Sequence, residues 1–169
     1  MESLLIITGS MGAGKTAVLG EASDLLTQQH ISHAAIDLDV LGLAHLPSGT
    51  SNDTVMYQNL HSVCQNYAAH GVERLLLARA MEDRAELELC RDIVPAAKMM
   101  VCRIVASVTT MEQRVEGREL GQLRLEYVAR VAQLNAILDA AQLEDFTVTN
   151  ENRSPTDSAQ EMLLRAGWI

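Results

Sequence analysis

Residues 9–16 read Gly-Ser-Met-Gly-Ala-Gly-Lys-Thr, and this stretch limits what the chain can fold into more than any other. It follows an apolar run, Leu4 to Ile7, and precedes a segment, Lys15 to Gln29, that reads as a helix. The spacing G-x-x-x-x-G-K-T is that of a loop that holds phosphate between a strand and a helix. Its glycines, Gly9, Gly12 and Gly14, let main-chain N–H groups approach an anion without interference from a Cβ. The N-terminus of the following helix adds partial positive charge. On this reading Gly9, Ser10, Met11, Gly12, Ala13, Gly14, Lys15, Thr16 and Ala17 surround a polyphosphate. Lys15 reaches its β- and γ-phosphates, and the Thr16 hydroxyl is offered to Mg²⁺.

Charge and composition narrow the partners. The chain has 169 residues, 48% hydrophobic and 21% charged, so one domain spanning 1–169 with a substantial core is expected. Aromatic residues are only 3%, which makes the core aliphatic and methionine-rich. A net charge of −9 disfavours nucleic acid or an anionic membrane as the main partner, since both demand a basic surface. Anionic small molecules stay possible where Lys15 and arginines cluster. Cys64, Cys90 and Cys102 have no C-x-x-C spacing and read as reduced, buried thiols. The start, Met1-Glu2-Ser3, has no basic leader and no apolar run reaches 18 residues, so a soluble, cytoplasmic protein is expected. The sequence leaves the oligomeric state open.

Short strand-like runs alternate with longer helical segments, the pattern of a parallel sheet with crossover helices. Strands are expected at Leu4–Thr8, His33–Asp37, Leu75–Ala78, Met99–Ala106 and Phe146–Thr149. The first is continuously apolar and therefore central. Helices are expected at Lys15–Gln29, Thr54–His70, Asp83–Arg91, Thr110–Gly117 and Gly121–Ala141. A last helix is opened by Ser154 as cap, Pro155 at its first position and Asp157 at its third.

The carboxylates point to a type of chemistry. The strand from Leu75 meets no acid until Glu82 and Asp83, so the usual strand-end carboxylate of nucleotide hydrolases is missing there. Asp37 and Asp39 instead end the second strand, at the sheet edge where open α/β sheets bind ligands. Two residues apart on extended chain, they would project to the same side. Mutual repulsion would raise the pKa of one, which suits a general base for a substrate hydroxyl. The competing reading makes Asp39 the cap of a helix near Val40 and Asp37 a solvated strand end.

"LLIITGSMGAGKT", "IDLD", "QRVEGRELGQLR" and "DFTVTNENRSPTDSAQEML" together resemble the small bacterial phosphate-loop kinases of the nucleoside-monophosphate-kinase-like group. Shikimate, gluconate and adenylylsulfate kinases and chloramphenicol phosphotransferase belong to that group. The resemblance implies a phosphate-loop NTPase fold, three layers α/β/α, with a five-stranded parallel sheet in order 2-3-1-4-5 and a short arginine-bearing lid. It implies an ATP-dependent enzyme that uses Mg²⁺ and moves the γ-phosphoryl group to a hydroxyl of a small metabolite or antibiotic. Asp37 would act on the metal with Thr16. Asp39 would bind and deprotonate the acceptor, although in chloramphenicol phosphotransferase a single aspartate, alignable with Asp37, does that work, so either remains the candidate base.

Arg114 and Arg118, one helical turn apart, and Arg124 beyond a hinge at Gly121 match the lid arginines of the group. Pairing with Glu116 and Glu119 on a solvated face is the competing account. Asn150, Asn152 and Arg153 fall where these kinases contact adenine. Arg79, Asn52, Tyr57, Asn59 and Asp83 are candidates for the acceptor pocket, with Arg79 suited to a carboxylate or phosphate; Asn52 and Asp53 serve equally well as helix caps. The glycine pair and lid of shikimate kinase and the histidine-bearing lid of gluconate kinase are absent, so no member's substrate carries over. Two other functions fit the same residues: a nucleotide or nucleoside kinase, and a nucleotide-binding regulatory module with little turnover.

Overall fold

The computed structural model describes residues 1–95, 97–119, 121 and 123–169. Five strands, β1 (Ser3–Thr8), β2 (His33–Asp37), β3 (Arg74–Ala78), β4 (Lys98–Val105) and β5 (Phe146–Thr149), form one sheet in the order β2-β3-β1-β4-β5. Every neighbouring pair runs parallel. Seven helices join them among the described residues: α1 (Lys15–Gln28), α2 (Leu38–Leu41), α3 (Asn52–Ala69), α4 (Arg84–Ile93), α5 (Val108–Arg118), α6 (Arg124–Ala141) and α7 (Pro155–Ala166).

The strands divide their side chains between two cores because successive residues point to opposite faces. Leu5 and Ile7 of β1 pack with Leu76, Cys102, Ile104 and Val148 beneath α1, α5, α6 and α7. Leu4 and Ile6 join Leu75, Leu77 and Val101 beneath α3 and α4. A strand buried on both faces reads as a continuous apolar run. That is why LLII could be placed at the centre of the sheet from sequence, and β1 does lie between β3 and β4.

Two local departures matter for the site. The sequence reading had Asp39 on extended chain, but the backbone turns helical directly after Asp37. The Asp37 side chain accepts the Asp39 N–H and caps the single turn of α2. Asp37, not Asp39, is therefore the cap, and the two carboxylates point to different partners. In addition, α6 begins at Arg124 rather than at Gly121; of the expected lid and first turn, Leu120 and Gln122 lie outside the described residues.

Candidate functional site

The loop between β1 and α1 is shaped by glycine geometry. Gly12 and Gly14 have φ of 76° and 102°, which L side chains rarely adopt. A Cβ at Gly12 would lie 2.3 Å from the Met111 carbonyl oxygen, and one at Gly14 would lie 2.3 Å from Asn150 Nδ2. Other elements hold this shape through polar braces. The Ser10 hydroxyl donates to the Val131 carbonyl at 2.8 Å. Asn150 Nδ2 donates to the Ala13 carbonyl at 2.8 Å, while its Oδ1 accepts from Ser158. Arg114 donates to the carbonyls of Gly12 and Asn150 at 3.2 and 2.8 Å. With these carbonyls tied back, the loop forms one wall of a cleft.

Lys15 folds along this cleft, its Nζ donating to the carbonyls of Gly9 and Ser10 at 3.0 and 3.2 Å. Burial lowers its pKa below the ordinary lysine value, and Asp39 and Asp37 work against that shift. A lysine so desolvated gains strongly from an incoming anion. The cleft has a volume of about 590 Å³, and Thr16, Asp39, Arg114 and Arg118 complete its walls with the loop itself.

Asp37 accepts a hydrogen bond from the Thr16 hydroxyl at 2.8 Å. A hydroxyl and a carboxylate oxygen converging beside a phosphate loop are the hard donors that suit Mg²⁺. Asp39, which also lines the cleft, pairs with Arg79 at 2.8 Å, its side chain still 63% exposed. Arg79, only 15% exposed, also reaches Asp53 at 3.3 Å and Glu86 at 3.1 Å. Burial opposes its charge, but Glu86 and Asp39 override that and hold the guanidinium above its ordinary pKa. The sequence reading offers Arg79 as suited to a carboxylate or phosphate of the acceptor; in the structure three protein carboxylates pair with it.

Beyond the Arg79 fork lies a second cavity of about 800 Å³, bounded by α3 and α4. Tyr57 lines it, and so does Asp83, which also caps α4 by accepting from the Glu86 N–H. Asn52 and Asn59 donate to the carbonyls of Ala44 and Leu41, fastening the loop after α2. Ser51 rather than Asn52 or Asp53 caps α3.

Arg118 shares the cleft wall with Arg114 and is mostly exposed, paired with its neighbour Glu119. Arg124 pairs with Glu116, a surface contact across the α5–α6 junction. Asn152 adopts the left-handed backbone conformation that asparagine tolerates well. Arg153 turns to α7, where it pairs with Glu161 and donates to the Thr149 carbonyl. Sequence reasoning missed Glu86, which accepts from Arg79 and from the Glu82 N–H. The spacing Asp83-x-x-Glu86 at a helix start was a usable signal for it. No local signal marked Ser10 as tied to Val131, 121 residues away.

No protein-family model matches the sequence, and no curated protein matches it. Solved structures do resemble the chain. The APS kinase of Mycobacterium tuberculosis, in complex with AMPPNP and APS, is 21% identical with a TM-score of 0.68, and the match covers 98% of each chain. The tunicamycin resistance protein of Deinococcus radiodurans is 15% identical with a TM-score of 0.69, covering 100% of this chain and 98% of that one. Shikimate kinase from Acinetobacter baumannii, in complex with shikimate, is 19% identical with a TM-score of 0.63, covering 98% and 93%. With a parallel sheet in order β2-β3-β1-β4-β5 and a glycine loop leading from β1 into α1, the chain has the fold of the phosphate-loop small-molecule kinases.

Proposed function

We propose that the protein is an ATP-dependent phosphotransferase acting on a hydroxyl of a small molecule. One observation carries this reading. The phosphate-loop cleft and the cavity under α3 and α4 meet at the Asp39–Arg79 pair, with Asp39 in the wall of the first and Arg79 in the wall of the second. Two compartments joined through one ion pair fit a donor and an acceptor better than a nucleotide switch, which needs only one.

Each residue then has a task. The loop amides and Lys15 hold the triphosphate, and Thr16 and Asp37 hold Mg²⁺, which when bound neutralises charge on the phosphates. Asp37 is committed to Thr16 and to capping α2. Asp39 has one oxygen on Arg79 and ample exposure, so it is the base of the pair. The acceptor oxygen bonds to the γ-phosphorus, the β–γ bridging P–O bond breaks with its electron pair leaving on ADP, and the hydroxyl proton passes to Asp39. Arg118 meets the transferring group from the cleft wall. Arg114, bound to loop carbonyls, positions the loop, and Asn152 and Arg153 border the base side. Residues 1–169 act as one kinase domain, and a cytoplasmic location fits a chain in which, among the described residues, no helix is long and apolar enough to cross a membrane.

Incubation with γ-labelled ATP and a pool of polar metabolites tests the proposal. Acceptor-dependent label transfer that is lost in Asp39→Asn, with ATP binding retained, is the expected result. Tight nucleotide binding with hydrolysis alone, unaffected by Asp39→Asn, would point instead to the regulatory module.

A further inference from the structure

The cavity behind Arg79 has a strong charge preference. Asp53, Glu82, Asp83, Glu86 and Asp92 line it against a single guanidinium, that of Arg79. Arg130 compensates Glu82 from outside at 2.9 Å, which still leaves four carboxylates to one arginine. Arg79 is also spoken for by Asp39, Asp53 and Glu86. His61 is the other basic side chain of the wall. An acceptor bearing a carboxylate or phosphate would enter against this field with, among the described residues lining the cavity, no uncommitted arginine or lysine to receive it.

A second observation marks the same space as built for a ligand. Tyr57, on the wall, is 9% exposed, and its buried hydroxyl lies beside the Arg79 guanidinium without a well-formed hydrogen bond to any of the described residues. Buried hydroxyls are ordinarily satisfied, so this one is left for a group that arrives. Burial and the nearby Glu86 keep the phenol un-ionised, able to donate and to accept.

Resting on the kinase reading above, we infer that the acceptor is an amino alcohol, a hydroxyl compound that also carries an ammonium group, of the amino-sugar or aminocyclitol class. The ammonium sits among the carboxylates of α3 and α4, Tyr57 meets a polar atom of the ligand body, and a hydroxyl faces Asp39. A volume of about 800 Å³ holds a molecule of one to three rings. The chemical step is the one already given: the hydroxyl, not the amine, takes the phosphoryl group and yields its proton to Asp39.

The test splits a pool of polar metabolites, supplemented with amino sugars and aminocyclitols, on ion exchangers into cationic, neutral and anionic fractions. Each is incubated with the whole protein and γ-labelled ATP. Label transfer confined to the cationic fraction supports the inference. Transfer to the neutral or anionic fraction overturns it while leaving the kinase reading intact, and no transfer to any fraction removes both. With the labelled acceptor purified, Asp92→Asn and Tyr57→Phe should each raise its KM about threefold or more, leaving the KM for ATP unchanged. An unchanged acceptor KM in both variants overturns the assignment of the pocket.

Discussion

The two compartments of the site are held together by different means. At the phosphate loop the braces are mostly neutral: the Ser10 hydroxyl on the Val131 carbonyl of α6 and the Asn150 amide on the Ala13 carbonyl, with Arg114 as the charged exception. They orient backbone and leave Lys15 as a desolvated cation along the cleft. In the cavity proposed for the acceptor, carboxylates gather round Arg79, and the Tyr57 phenol lies buried beside them without a well-formed hydrogen bond to any of the described residues. A frame of backbone amides recognises any triphosphate and is dictated by a short motif. A frame of opposed charges would recognise one charge class, and it depends on residues from α2, α3, α4 and the turn after β3 being brought together. On the proposed function, the first half of the site is generic and the second is selective.

Substitutions can break this contrast. The largest effect is expected for Lys15→Ala, which removes the cation facing the transferring phosphate and should lower the transfer rate about 10²- to 10³-fold, measured by label transfer at saturating ATP. A fall below threefold would separate Lys15 from the chemistry. Arg79→Ala leaves Glu86, itself only 18% exposed, facing Asp39 and Asp53 without compensation. Discounting the outright burial figure for partial exposure, thermal or denaturant unfolding should show a loss of about 2 kcal/mol. Stability within 0.5 kcal/mol or so of the parent would mean the fork is a solvated cluster.

Asn150→Ala leaves the Ala13 carbonyl only its long 3.5 Å contact from Arg114 and the Ser158 hydroxyl only its 3.3 Å bond to the Ser154 carbonyl, and is expected to cost about 1 kcal/mol. Because the defect lies at the loop, the KM for ATP should rise more than the KM for the acceptor; the reverse order would dissolve the division between the two halves. Gly20→Ala is the small control. Gly20 sits inside α1 with open space where a Cβ would go, so stability should increase by about 0.5–1 kcal/mol with both KM values unchanged.

What could be read from the sequence follows the same division. The phosphate loop, the central strand, β2, β5 and the capped start of α7 were legible because each depends on neighbours a few residues away. Helix and strand limits elsewhere moved by one to three residues, as fraying ends do. Asp37 and Asp39 were found but their directions were not, because the turn of α2 rests on a cap made by one of the very residues in question. Arg79 was placed at the right edge of the sheet. Its occupation by three carboxylates was hidden because Asp39, Asp53 and Glu86 lie 40, 26 and 7 residues from it.

Calorimetric titration of magnesium-loaded ATP into the folded protein, set beside the same titration into Lys15→Ala, is the most direct measurement. Saturable one-site binding by the parent, much weakened in the variant, is the predicted outcome. A parent that gives no binding heat, or a variant that binds as tightly as the parent, would contradict the assignment of the β1–α1 loop as the seat of a triphosphate.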